Sequence, residues 1–235
     1  MRRKPEQRTP IDQPHVSERI SNASGLSVLL FYGTKVMSDA ARKFCSPDQA
    51  FRYSHLVAPC IILFHAFIDA YINEWLCLNL SRRSNSKPSE QEQAMQKAAE
   101  MGLGRVKLAR IQEIVPNLDS ALADDIASIC DLRDIIYHYD AQLKPMHQYP
   151  QAVHDFLQRA KIPITINSNW LTAVSNIESL DWIERKVREF VEMFSNVAGH
   201  FERWSRQNPP GYEEMWENIQ KNLKARDGER NSKCG

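Results

Sequence analysis

Apolar positions in this chain recur at steps of three and four almost throughout, the spacing of one face of an α-helix. The longest row is Val57, Ile61, Phe64, Ile68, Tyr71, Trp75 and Leu78, and Leu56, Cys60, Leu63, Phe67 and Ala70 form a second row beside it. A helix with two apolar faces must be covered on two sides, so this one is expected at the centre of the fold. Pro59 lies inside it and is expected to bend it or to mark a local break. Upstream, Leu26, Leu30, Gly33, Met37 and Phe44 predict a first helix that starts near Ser24 and buries this row. Ser46, Pro47 and Asp48 end it and supply the N-cap signal for its successor. A weaker helical stretch over residues 89–115 is expected to be interrupted at Gly102 and Gly104. Leu122, Ile126, Ile129 and Ile136 predict a helix over residues 120–140, and Ile183, Val187, Phe190, Phe194, Val197, Phe201 and Trp204 form a heptad-like seam in the last long helix.

Between the last two lies a long irregular connection punctuated by Pro145, Pro150 and Pro163, with one short helix expected over residues 151–159. Ile164, Thr165 and Ile166 are the one strand-like run, too short to carry a sheet. Asn208, Pro209, Pro210 and Gly211 stop the last long helix, and a short amphipathic piece over residues 212–223 precedes a polar tail. The expected architecture is all-α: an antiparallel helical bundle over residues 24–206, a flexible N-terminal arm over 1–23, and a C-terminal short helix and polar tail over 207–235.

Composition changes this picture little. The 235 residues are 43% hydrophobic, enough for one domain with a sizeable core. Lys and Arg number 30 against 29 Asp and Glu, so no global field draws the molecule onto nucleic acid or membrane and any basic surface is local. Cys45, Cys60, Cys77, Cys130 and Cys234 are scattered, without zinc-finger spacing, and three lie in apolar helical runs, which suits buried thiols in a reducing, cytoplasmic setting. The apolar run over residues 56–72 is interrupted by His65 and Asp69 and falls short of the ~20 residues of a membrane span, so a buried helix and no membrane partner are expected.

The candidate chemistry sits at the end of the motif helix, in Arg133, Asp134, Tyr137, His138 and Tyr139. Arg133 continues the apolar row Leu122, Ile126, Ile129, and a guanidinium in such a slot costs several kcal/mol in desolvation unless a carboxylate, phosphate or carbonyl satisfies it. Asp134 stands one four-residue step before His138, on the same face, and is expected to orient the imidazole. His65, Asp69 and Asn73 line one face of the central helix; as metal ligands they would need a further partner, and a polar stripe lining the cleft or bonded to the neighbouring helix is the better expectation. Glu74 is expected either to partner Arg133 or to be a surface acid.

An Arg followed by a polar residue and then a His resembles the HEPN superfamily, helical bundles in which the His stands four to six residues after the Arg. Residues 65–74 are similar to the acidic, aromatic second helix of many members, and the order of elements is similar over about residues 24–206. The resemblance implies a metal-independent endoribonuclease without a cofactor. In it the ribose 2′-hydroxyl attacks the adjacent phosphorus, His138 acts as general base or acid, Arg133 stabilises charge on the non-bridging oxygens, and the products carry 2′,3′-cyclic phosphate and 5′-hydroxyl ends. Asp134 would hold His138 in one tautomer, while Tyr137, Tyr139, Glu74, Asp69, Asn73 and His65 would bind substrate or support the site. The implied setting is a microbial toxin or phage-defence effector acting on tRNA or mRNA, as a homodimer whose two motifs share one cleft, with a cognate antitoxin or regulatory protein. The branch governed by a nucleotidyltransferase antitoxin places a Tyr two positions after the His; here Asp140 stands there and Tyr139 comes one position earlier.

A bland reading competes. Arg133 would pair with Glu74 or Asp69 inside the bundle, His138 would cap its helix, and the chain would be a non-catalytic module binding a nucleotide, RNA or protein with the motif as a brace. The basic groups at Arg82 and Arg83, at Arg105, Lys107 and Arg110, and at Arg185, Lys186 and Arg188 would contact RNA phosphates if the fold joined any two of them, and otherwise form solvated faces.

Overall fold

The computed structural model describes residues 16–44, 50–81, 88–138, 149–163 and 169–198. They form eight helices: α1 (Val16–Phe44), α2 (Ala50–Ser81), α3 (Glu90–Ala99), α4 (Arg105–Ile114), α5 (Ser120–Tyr137), α6 (Gln151–Ala160), α7 (Trp170–Val174) and α8 (Ile177–Ala198). Among the described residues there is no strand, so the all-α expectation holds there. Several boundaries follow from local chemistry. Ser89 and Glu92 close a capping box at the start of α3. The Asp119 carboxylate accepts from the backbone N–H groups of Ala121 and Leu122 at 2.7 and 3.2 Å, fixing the first turn of α5. Residues 100–104, with Gly102 and Gly104, separate α3 from α4 as expected.

The helix α2 is the hub, packed against α1, α3, α5, α7 and α8. Val57, Cys60, Ile61, Phe67, Ile68, Tyr71, Ile72 and Leu76 are all essentially inaccessible, the two buried faces that its double apolar row predicts. It runs unbroken through Pro59. Its apolar stretch is longer than expected: Leu56–Leu80, 25 residues with a mean hydropathy of 1.7, has the length and composition of a membrane span, and just over half of it is buried within the protein. A central core helix meets the same description, because it too is apolar on more than one side. Along α8, Ile183, Val187, Phe190 and Phe194 are buried in the same core, so this part of the seam packs inside the chain. Phe201 and Trp204 lie outside the described residues, as do the strand-like residues 164–166, the arm up to residue 15 and the segment after 198.

Three expectations about packing change. The first helix begins at Val16, within the stretch expected to form the arm; once α1 is nucleated on α2, adding polar residues at its outer end costs little. Its most deeply buried row is Ser27, Thr34, Ser38 and Ala41, one residue round from the expected one, of which Leu30 and Met37 pack on the edge of the core while Leu26 is 51% exposed. The cause is Glu74 of α2, whose carboxylate accepts from the Ser27 backbone N–H at 3.0 Å and from the Ser27 hydroxyl at 2.6 Å. Small side chains on this row also let the two helices approach closely, with Phe31 against Phe67 at 5.3 Å. Finally, Cys60 and Cys130 are buried as expected, but Cys77 is exposed.

Candidate functional site

The stripe His65, Asp69 and Asn73 faces the start of α4. Lys107, in the first turn of α4, is 0% exposed, and its ammonium donates to Asp69 Oδ1 at 2.8 Å, Asn73 Oδ1 at 2.7 Å and the Met101 carbonyl at 2.9 Å. Three donors meet three acceptors, so this buried charge is fully satisfied. The Asn73 amide also donates to Asp69 at 3.3 Å. His65 is buried with Nε2 3.2 Å from the Leu103 carbonyl, which as an acceptor requires the proton on that nitrogen. Burial, helped by the charge of Arg133, holds the imidazole below its ordinary pKa, so the ring is a neutral donor. The stripe thus bonds the neighbouring helix and its lead-in, as the sequence reading favoured.

The motif occupies the last turn and a half of α5. Arg133 is half-buried: Nη1 donates to Asp134 Oδ1 at 2.6 Å, the guanidinium carbon lies 5.7 Å from the Tyr137 ring centre, and Nε is sealed inside with no partner among the described residues. His138 is the C-cap residue, its backbone N–H donating to the Asp134 carbonyl at 3.0 Å. Its imidazole is exposed and packs edge-on against Tyr137 at 5.2 Å, while Tyr137 is 69% exposed. One turn earlier Cys130 is buried, and burial together with Asp131, Asp134 and Asp69 pushes its thiol up to about 12 against the opposing charge of Arg133. That sulfur is no nucleophile.

Several expected pairings are therefore replaced. The Asp134 carboxylate accepts from Arg133, and among the described residues it makes no bond to the His138 imidazole. Neither Glu74 nor Asp69 pairs with Arg133; Glu74 is buried beneath α1 on Ser27, where burial raises its carboxyl above the usual range despite those two bonds, so it is not a surface acid either. Tyr139 and Asp140 lie outside the described residues. The basic groups are taken up by acids: Arg105 by Asp131 at 2.6 Å, Arg110 by Glu113 at 2.9 Å, Lys186 by Asp125 at 3.1 Å and Arg188 by Glu184 at 2.6 Å. Arg82 and Arg83 are not among the described residues.

Sequence reasoning placed Lys107 with Arg105 and Arg110 as a phosphate contact or solvated face, and its burial corrects this; the signal was its row with Ile111 and Ile114, both buried and apolar, since a cation in an apolar slot calls for buried acceptors. Surface clefts of about 610 Å³ beside Asp125, Lys186 and Met193 and about 520 Å³ beside Lys161, Trp182 and Arg185 lie elsewhere, with neither Arg133 nor His138 in their walls. The open end of α5 offers an exposed imidazole for proton transfer and a guanidinium that can face an anion, next to an aromatic ring on which a base can stack. Compared with known protein families, with characterised proteins and with solved structures, the chain has no match.

Proposed function

We propose that this protein is a metal-independent endoribonuclease of the HEPN type, an antiparallel helical bundle acting in the cytoplasm as a microbial toxin or phage-defence effector. The observation that carries the reading is the contrast within α5 between saturated and open polar groups. His138 and Tyr137 are exposed, and the Arg133 guanidinium, its side chain one-third exposed, lies over the Tyr137 ring. In the proposed reaction the 2′-oxygen forms a bond to phosphorus as its proton passes to an imidazole, and the bond to the 5′-oxygen breaks as that oxygen gains a proton. Arg133 stabilises the charge on the non-bridging oxygens. A homodimer bringing two motifs together would supply one imidazole as base and a second as acid. The RNA is a tRNA or mRNA, and a cognate antitoxin or regulatory protein would restrain the enzyme.

The second reading, a non-catalytic module binding RNA, a nucleotide or a protein, draws on two observations: Asp134 pairs with Arg133, leaving His138 unsupported by it, and His138 occupies a C-cap position. One experiment separates the two. Wild type, Arg133→Ala and His138→Ala are incubated with total RNA and a tRNA pool in EDTA, and the cleaved ends are mapped. The RNase reading expects 2′,3′-cyclic phosphate ends from wild type and at least a hundredfold loss in both variants; cleavage at wild-type rate by folded variants would sink it.

A further inference from the structure

The rotation of the first helix leaves two of its leucines without a partner among the described residues. Because Ser27, Thr34 and Ser38 turn toward α2, Leu26 and Leu29 turn outward, 51% and 70% exposed. Gly33, one turn further on, continues the same row, and a Cβ placed there would meet no atom within 4 Å. Two adjacent leucines held open on an ordered helix form an apolar patch of the kind that usually has an occupant.

The end of α8 indicates which one. Tyr71 bonds the Ser195 hydroxyl at 2.7 Å and the Trp75 indole donates to the Ala198 carbonyl at 3.2 Å, which ties the last turn of α8 to the turn of α2 that contains Glu74. Glu74 is bonded to Ser27, the neighbour of Leu26. The chain therefore leaves α8 at the level of the open face. Beyond it the sequence has a stop at Asn208, Pro209, Pro210 and Gly211, followed by Tyr212, Met215, Trp216, Ile219 and Leu223, one apolar row at helical spacing with Glu213, Glu214 and Glu217 off it. The arithmetic fits a return. Eight further helical residues after Ala198 would carry the chain about 12 Å onward, and residues 212–223 as a helix would span about 18 Å, enough to come back over Leu26 and Leu29.

We propose that the Leu26 and Leu29 face of α1 is the docking site of the chain's own C-terminal segment, residues 212–223, with Trp216 and Ile219 seated on the leucines. The short tether gives this segment an effective concentration that a separate molecule does not reach. The proposal is independent of the chemistry at α5.

The test is hydrogen exchange on the full chain, wild type against Trp216→Ser with Ile219→Ser, with molar mass followed by light scattering. The expected result is at least tenfold faster exchange in the amides of residues 20–32, unchanged protection in α8 and unchanged mass. A reciprocal variant, Leu29→Asp, is expected to speed exchange in residues 212–223, which covers the case in which the double variant fails to fold. Unchanged exchange in residues 20–32 would overturn the proposal. So would wild-type protection of these amides that disappears on dilution together with a fall in mass, which would assign the face to a second copy.

Discussion

The middle of α2 and the last turns of α5 are both polar patches set in apolar helices, but one is closed and the other open. At Asp69 and Asn73 the polar atoms are matched by the Lys107 ammonium, which has no contact with solvent. At Arg133 one guanidinium nitrogen pairs with the adjacent Asp134, the side chain stays one-third exposed, and Tyr137 and His138 stand in solvent. A closed patch has used its hydrogen-bonding capacity on the fold, so its residues are expected to govern stability. An open patch retains capacity for a ligand, so its residues are expected to govern function with little effect on stability.

The sharpest way to break this comparison is Lys107→Met. It leaves the Asp69 carboxylate, the Asn73 carbonyl and the Met101 carbonyl without their shared donor, and should lower stability by about 3 kcal/mol in urea unfolding. His138→Ala, at an exposed cap, should stay within about 0.5 kcal/mol of wild type. Equal losses in the two variants would show that the α5 end is as structural as the buried Lys107 contact.

A smaller effect is expected from pH. Burial first, and then the charge of Arg133, keep the folded His65 imidazole below its ordinary 6.5, while the Leu103 carbonyl, Asp69 and Asp134 oppose this. The unfolded chain therefore binds more protons in this window. The stability contributed is complete above about 6.5 and is lost as pH falls from there through the folded value. His65→Gln should flatten that part of the profile in a series of urea midpoints, and an unchanged slope would remove His65 from the account. Glu74 has the opposite sign. Burial raises its folded pKa, so the fold loses stability as pH rises from the ordinary carboxylate range through the raised value, and Glu74→Gln should suppress that loss.

The smallest effects test the margins. Tyr137→Ala should change stability by less than about 0.5 kcal/mol while weakening RNA binding, measured by filter retention. Alkylation of the native protein at mildly alkaline pH should label Cys77 and spare Cys130, whose thiol is buried and pushed up to about 12. Labelling of Cys130 at a comparable rate would mean that the α2 and α5 interface opens readily.

Much of the fold was legible because helix formation is local. Steps of three and four located α2, α5 and most of α8, and Gly102 and Gly104 marked the break between α3 and α4. The five-residue α7 is too short to show a period, and its start depends on the Asn169 side chain accepting from the Leu171 N–H at 2.9 Å. Of the candidate site, the sequence singled out Arg133, Asp134 and His138 and the stripe on α2, but it could not match them with partners. Asp134 was expected on His138, four residues on, and bonds the adjacent Arg133 at 2.6 Å.

What the sequence determined alone was which stretches are helical, which of them carries two apolar faces, and where cations stand in apolar rows. Which row of α1 turns inward, and which acids satisfy Lys107, was settled only in the tertiary structure. Ser27 meets Glu74 across 47 positions and Lys107 meets Asp69 across 38. Periodicity reports the contacts a residue makes within its own helix, whereas the cost of a buried charge is met by groups that only folding brings near.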